Sequence, residues 1–512
     1  LDPDPPAEQI ETVFGRYGFR EPQRAYEHMQ ALATERIPFL STRRCRHFLA
    51  SIAPALLREI ARTPDPDATL VTLEKVSDSL GGKGALWELF SFNPPSLRLY
   101  VDLCATSSFL CSILISNPGM IDELLDSLML DRLPRLDTLR SALAELCRAA
   151  EDLDPILHSF KNAQLLRVGA RDILGKEDVA ATTAALSDVA QVCLEQIAHR
   201  ELAKLIPKLG QPQIGNGPRA GQPCNLVIVA MGKFGGGEIS YHSDLDIIFL
   251  YEDEGFTVAT SRTASPTSNQ HFFSQLGQKI IKTATFLGPY GRLYEIDARL
   301  RPTGKSGSLA TSLPEFARYY ASGEGQLWER QALCRARVVY GPPEAAAAAE
   351  AAIAKAAFDH PFGPNDVRAI RDMRKRMEDT ASPSNLKRGA GGIVDIEFAV
   401  QLLQLKYGRD NPKVRNPATF DALAALAEEG YLSADDAQFF TNSYRLLRRV
   451  ENRLRLIYGS SRDDLPTEAD ERDKLARQLG YADGAALTEE LEHVTAETRA
   501  RFNRLLDEHE RP

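Results

Sequence analysis

The sequence predicts a mainly α-helical protein with an inserted α/β domain, a small mixed sheet flanked by helical bundles. Three observations lead there. Up to about residue 155, apolar residues recur every three or four positions, as in Leu70, Leu73, Val76 and Leu80, which is the period of a helix face. Between 224 and 340 that spacing gives way to short apolar runs bounded by turn residues, which suit strands of a covered sheet. After Pro343 helical spacing returns and holds to the end. The expected divisions are 1–155, a helical region; 156–345, the α/β domain with its core at about 224–340; and 346–512, a C-terminal helical bundle.

Taken in order, the first division reads as a helical array with Pro and Asn-Pro breaks. Its most apolar stretch, Leu99 to Ser116, is interrupted by Asp102 and several hydroxyl residues, so it reads as one buried helix and not a membrane span. Gly81-Gly82-Lys83-Gly84 lies in this helical region without a preceding strand and reads as a turn. A helical stretch from about Pro155 to Lys208 ends at the connector GQPQIGNGPRAGQP. Four strands follow, in CNLVIVAM, LDIIFLYE, RLYEIDARLR and CRARVVYG, with a helix over 266–287 between the second and third. The alanine run after Pro343 is a strong helix former, and helices are expected over Asp435–Tyr458 and Ala486–Glu510.

Length allows about three domains on a prior of roughly 150 residues each. With 61 basic and 70 acidic residues the net charge is −9, so no global positive field exists to attract nucleic acid or an anionic membrane. Any phosphate site must be locally basic. Seven cysteines, none in a CxxC pair, read as reduced thiols rather than a disulfide framework, and no secretory signal or membrane anchor is visible, which points to the cytoplasm. The chain opens on Leu and an unpatterned DPDPP, as a piece of a longer protein would.

The chemistry concentrates in AMGKFGGGEISYHSDLDIIFLY. Positions two apart in a strand share a face, so Asp244 and Asp246 project together while Leu245 and Ile247 face the core. Two such carboxylates repel unless a cation lies between them, and magnesium accepts one or two carboxylates plus substrate phosphates. Alone, the pair could equally be a solvated strand edge. Upstream, Gly232, Lys233, Gly235, Gly236 and Gly237 would let backbone N–H groups approach phosphate oxygens, with Lys233 adding charge; by itself this is also how a flexible turn reads. In Leu293–Arg301 period two puts Glu295, Asp297, Arg299 and Arg301 on one face, offering a third metal ligand and two phosphate clamps, or else an exposed edge strand. Together these features are far more specific than any one. Gly304-Lys305-Ser306 matches the end of a Walker A loop, but Arg299 stands where its first glycine is required. His242 is the histidine nearest the pair and has no partner at ligand spacing, so zinc is not implied.

The glycine-lysine turn, the paired aspartates and a third aspartate on a later strand resemble the nucleotidyltransferase superfamily of DNA polymerase β. More narrowly, that turn with LYEIDARLRPTGKSGSLATS, WERQALCRARVVYG and KRGAGGIVDIEFAVQLLQLKYG resembles the glutamine synthetase adenylyltransferase family of bacterial nitrogen control, from about Ser107 to Gly459. That family's long form pairs a half that removes AMP by phosphorolysis with a half that attaches it. GAGGIVDIEF and ISNPGMIDELLD look like the attaching half, where the removing half more typically reads RGGIREIEF.

The resemblance implies a polymerase β-like sheet, Mg2+ or Mn2+ held by Asp244, Asp246 and Asp297, and ATP as substrate with its phosphates near Gly232, Lys233, Ser243, Arg299, Arg301 and Lys305. It also implies glutamine synthetase as protein substrate, with a PII signal protein and glutamine as regulators, and it leaves no role for nucleic acid or membrane. A tyrosine hydroxyl would attack the α-phosphate in line, with Asp297 taking the proton. Gly389–Glu397 would cover the nucleotide or place a carboxylate near it, or else form a glycine-capped helix start with Asp395 buried. Two other readings stand beside this one: the phosphorolytic half, and a regulatory module that binds nucleotide without turnover.

Overall fold

A computed structural model describes residues 4–35, 40–122 and 132–511, apart from the Lys305 side chain. By contacts the chain forms two compact units: residues 1–133, 162–182 and 449–490, and residues 134–161, 183–448 and 491–512.

The first unit is built of helices. Ser41 accepts a hydrogen bond from the Arg44 amide and so starts Thr42–Ala61; Asp65 accepts from Ala68 and, with Pro66 at the first position, starts Pro66–Ser79. Leu49, Leu56, Leu70, Leu73, Trp87 and Tyr100 bury between them. The Tyr100 hydroxyl lies 3.0 Å from Ser77 Oγ. The expected single helix over Leu99–Ser116 is two, Pro94–Thr106 and Ser108–Ser116, bent by 112°. The break has a local cause: Ser107 is extended and its hydroxyl accepts from the Leu110 amide, capping the second helix. Among the described residues no single helix is long and apolar enough to cross a membrane, although this bent pair matches by length and composition. Of the turn expected at Gly81–Gly84 only Gly81 and Gly82 lie outside a helix; Lys83 already opens helix Lys83–Phe92, with its ammonium buried, 2.8 Å from the Ala31 carbonyl and 2.5 Å from Asp78.

The second unit holds the sheet. Its strands are β1 (Gln211–Pro212), β2 (Leu226–Ala230), β3 (Leu245–Tyr251), β4 (Thr257–Val258), β5 (Ile296–Asp297), β6 (Ala310–Ser312) and β7 (Arg337–Tyr340). A small β1–β4 pair stands apart, and the main sheet runs β5-β3-β2-β7 with β6 also on β3. β3 pairs antiparallel with β2, while its other edge is shared by β5 at the start and β6 at the end, both parallel. The small mixed sheet within a mostly helical chain is thus as expected.

Every residue of β2 is buried, and in β3 only Asp246 is partly exposed, because helices cover the sheet. Helix Asn269–Thr285, inside the expected 266–287, lays Phe273 on Tyr251 with ring centroids 4.9 Å apart. Helix Pro343–Phe358 packs against β2 and β7.

The third expected strand is much shorter than its alternating pattern, covering two residues. The Arg299 amide donates to Asp297 Oδ1 at 2.9 Å, a side-chain turn that ends the pairing. The four-residue charged face therefore does not form. Glu295 pairs with Arg292, and Arg301 donates to the carbonyls of Ala298 and Gly307.

Candidate active site

The site begins where β2 leaves the sheet. The chain turns through a four-residue helical turn, Gly232–Gly235, with Gly232 at φ 53° and Gly237 at φ 67°. Glycine is required here for more than its dihedral. A Cβ on Gly232 would lie 2.6 Å from Asp246 Oδ2, and one on Gly235 would lie 1.8 Å from the Arg335 carbonyl oxygen. Changing Gly232 to Ala is therefore expected to displace the Asp246 carboxylate and weaken Mn2+ binding at least about tenfold, the effect of roughly 1.4 kcal/mol, as calorimetric titration would measure.

The chain returns through Ser240–Ser243, where the Ser240 amide donates to Ser243 Oγ at 3.0 Å and His242, exposed, takes φ 57°. Asp244 ends this turn, exposed to solvent, and Asp246 is the second residue of β3, partly buried. Parallel register then places Asp297 of β5 directly opposite Asp246. One oxygen from each of Asp244, Asp246 and Asp297 lies within 4.8 Å of the others.

Burial and the neighbouring charges of Asp244 and Asp297 push the Asp246 carboxyl up to about 7, with Lys387 and Arg335 pulling the other way. Such a cluster suits a hard divalent cation. Around one Mg2+ adjacent oxygens are roughly 3 Å apart and opposite ones roughly 4.2 Å, so carboxylates gathered this closely can be drawn onto a single ion. Asp297 now holds a different cation: both its oxygens accept from the Arg299 side chain, with Nε at 2.9 and 2.7 Å. The Arg299 side chain is 65 % exposed and has room to swing away.

Of the other residues expected at the nucleotide, Gly232 and Lys233 form the turn beside Asp246, Ser243 belongs to the turn before β3, and Arg301 is bound to loop carbonyls. Lys305 lies in the short 3₁₀ turn Gly304–Ser306, and its side chain is outside the described residues. Asp395 is fully buried, accepts from the Gly391 amide at 2.7 Å and pairs with Arg374 and Arg499. Of the two readings of Gly389–Glu397, the helix start with a buried aspartate is the one present.

Sequence reasoning missed what stands behind the glycine turn. Arg335 binds Glu238, at the end of that turn, and Glu397 at 2.6 Å. Glu238 also accepts from the Thr419 amide at 2.8 Å and from the Tyr444 hydroxyl at 3.0 Å. Tyr444 reaches Glu397 at 3.2 Å as well. These partners come from the C-terminal helices Ile393–Tyr407, Thr419–Glu428 and Ala434–Tyr458, so the bundle fixes the turn through buried charge. The only local signal was an arginine just ahead of an apolar strand.

Residues 97–352 match the family model of glutamate-ammonia ligase adenylyltransferase, and residues 367–509 match that of GlnD PII-uridylyltransferase. Similar curated proteins are named bifunctional glutamine synthetase adenylyltransferase/adenylyl-removing enzyme. One from Thioalkalivibrio sulfidiphilus is 33% identical over 482 residues, covering 92% of this chain and 49% of the relative. Those from Xanthobacter autotrophicus and Pseudomonas putida are each 31% identical, covering 99% and 92% of this chain and 51% of each relative. The chain thus spans about half the length of the curated relatives it matches. Half of its residues fit the first family model, on the segment that carries the three aspartates and the glycine turn, and the chain belongs to the glutamate-ammonia ligase adenylyltransferase family.

Proposed function

We propose that this chain attaches AMP from ATP to a tyrosine hydroxyl of glutamine synthetase and releases pyrophosphate. The observation that carries the reading is the gathering of Asp244, Asp246 and Asp297 beside the glycine turn, in a chain whose relatives bear that enzyme's name. The sheet that presents them is read as polymerase β-like.

In the step, the hydroxyl oxygen bonds to the α-phosphorus, the bond to the β-phosphate's bridging oxygen breaks, and pyrophosphate departs with those electrons. Mg2+ or Mn2+, held by the three aspartates, would polarise the phosphates and lower the barrier to attack. Asp297 takes the hydroxyl proton once Arg299 releases an oxygen, and Arg299, so freed, can meet the phosphates. Lys233 and Lys305 are assigned to the same phosphates.

Which half of the bifunctional enzyme this is rests on the wording of its motifs. The names of the relatives include adenylyl removal, which keeps phosphorolysis as the second reading. A PII-type protein is proposed as regulator because 367–509 match the PII-uridylyltransferase model; glutamine is proposed with it. Seven buried, unpaired cysteines suit a reducing compartment, and the cytoplasm is proposed.

Incubation with glutamine synthetase, Mg2+ and α-labelled ATP tests the reading. Label is expected on glutamine synthetase with the parent chain, and about 10²- to 10⁴-fold less turnover with Asp297→Asn, the usual contribution of a general base. Turnover close to the parent's, with normal ATP binding, would remove Asp297 from that role. No labelling, but orthophosphate-dependent ADP release from adenylylated glutamine synthetase, would put the removing reaction in place of the attaching one.

A further inference from the structure

Arg337 opens β7, where its backbone pairs with Ala230, the last residue of β2 before the glycine turn. Its side chain reaches the far end of that turn: Nε donates to the Gly235 carbonyl at 3.0 Å and Nη2 to the Phe234 carbonyl at 3.3 Å. One planar fork thus holds two successive carbonyls, a grip that a point charge cannot reproduce. The start of the same turn lies against the aspartate cluster, since a Cβ on Gly232 would stand 2.6 Å from Asp246 Oδ2. Tilting the turn would therefore move Gly232 and Lys233 relative to the aspartates.

The fork is itself held from behind. Arg337 Nη1 donates to Gln191 Oε1 at 2.8 Å, and Gln191 Nε2 donates to Glu195 Oε1 at 3.0 Å. Glu195 in turn accepts from Nε and Nη2 of Arg140 at 2.7 and 2.9 Å. The amide fits between them in one orientation only, because the guanidinium requires its oxygen and the carboxylate its N–H. Gln191 and Glu195 are buried, four residues apart and so on one face of helix Val179–Leu209, while Arg140 comes from helix Leu136–Cys147. An unbroken run of hydrogen bonds joins that second helix to the glycine turn.

We propose that Arg337 is a positioning residue for the nucleotide: it holds the glycine turn in the orientation that Gly232 and Lys233 need at the phosphates, and the run through Gln191, Glu195 and Arg140 fixes its side chain. The proposal rests on the reading of the turn as part of an ATP site and adds what aims it. Arg335 reaches the end of the turn through Glu238, whereas Arg337 acts on the backbone of the turn itself.

The test is equilibrium binding of Mg-ATP to the parent, Arg337→Lys, Gln191→Leu and the double variant, with urea unfolding of each and the steady-state kinetics of AMP transfer. Arg337→Lys keeps the positive charge, which protects the fold, but loses the fork. It should weaken Mg-ATP about tenfold or more, the usual effect of losing an outer support of such a site. The loss should appear mainly in KM for ATP, with KM for glutamine synthetase close to the parent's. Gln191→Leu should weaken Mg-ATP less, and the double variant should bind no worse than Arg337→Lys, because both changes act through one side chain. Parent-like Mg-ATP binding by Arg337→Lys, whatever its stability, would overturn the proposal and leave the ATP site standing. Losses that add in the double variant would overturn it too, since independent structural faults behave in that way. Failure of the parent to bind Mg-ATP would end both the proposal and the reading beneath it.

Discussion

Asp246→Asn is expected to end AMP transfer while leaving the fold intact. The substitution keeps the side chain's shape and leaves untouched the ladder in which Asp246 pairs with Asp297, but removes one of the three charges proposed to hold the metal. Metal stabilisation of a phosphoryl transfer amounts to several kcal/mol, and each 1.36 kcal/mol is tenfold in rate, so a fall of about 10³-fold or more is expected. Labelling of glutamine synthetase reads the rate, and Mn2+ titration shows whether the loss begins at the metal. Stability should move the other way. Burial and two like charges push the Asp246 carboxyl up to about 7, so in metal-free protein its ionised form opposes folding. The neutral amide escapes that cost. In a chelator at pH 8 the variant should unfold at a higher denaturant concentration than the parent, and the gain should shrink as pH falls toward the ordinary carboxylate range. Parent-like transfer by the variant would remove Asp246 from the site.

That cluster was legible in the sequence because its determinants are local. Asp246 in β3 and Asp244 just before the strand are two residues apart, so the alternation that brings them together shows in the sequence, and a glycine turn stands within a few residues. Asp297 could be read from its own alternating segment, though not the turn at Asp297 and Arg299 that ends the strand, since a side chain accepting from its own backbone leaves the apolar pattern unchanged. β4 and β6 escaped notice because two or three residues are too few to show a period. GAGGIVDIEF is legible as a glycine-capped helix start with Asp395 buried, but not for the part that Glu397 plays. Two residues along a helix turn by roughly 200°, so Asp395 and Glu397 face different surroundings. Asp395 meets Arg374 and Arg499, while Glu397 meets Arg335 and Tyr444. Nothing local could reveal that second set, because Arg335 stands 97 residues from Glu238 and 62 from Glu397.

The largest loss of stability is expected from Arg335→Met. The guanidinium is buried between Glu238 and Glu397, whose side chains are 5% and 11% exposed. Removing one partner of a buried ion pair costs about 3–5 kcal/mol because it leaves uncompensated charge, and here two carboxylates lose their cation at once. Tyr444 and Thr419 still donate to them, which limits the loss without neutralising it. The sign with pH follows from Glu397: burial raises its carboxyl, but Arg335 more than offsets that and holds it below the ordinary glutamate value. That stabilisation is present above the usual carboxylate range and fades in acid, so the variant's deficit should be greatest near pH 8 and should narrow as pH falls. Urea unfolding across that range measures it. A triple variant, Arg335→Met with Glu238→Gln and Glu397→Gln, removes the stranded charges and should recover much of the stability. Whether AMP transfer returns with the fold separates two roles for Arg335. Recovery of both would make it a support for the glycine turn, whose Gly235 and Gly236 lie against it. Recovery of the fold alone would mean that its charge also offsets the carboxylate cluster at Asp246.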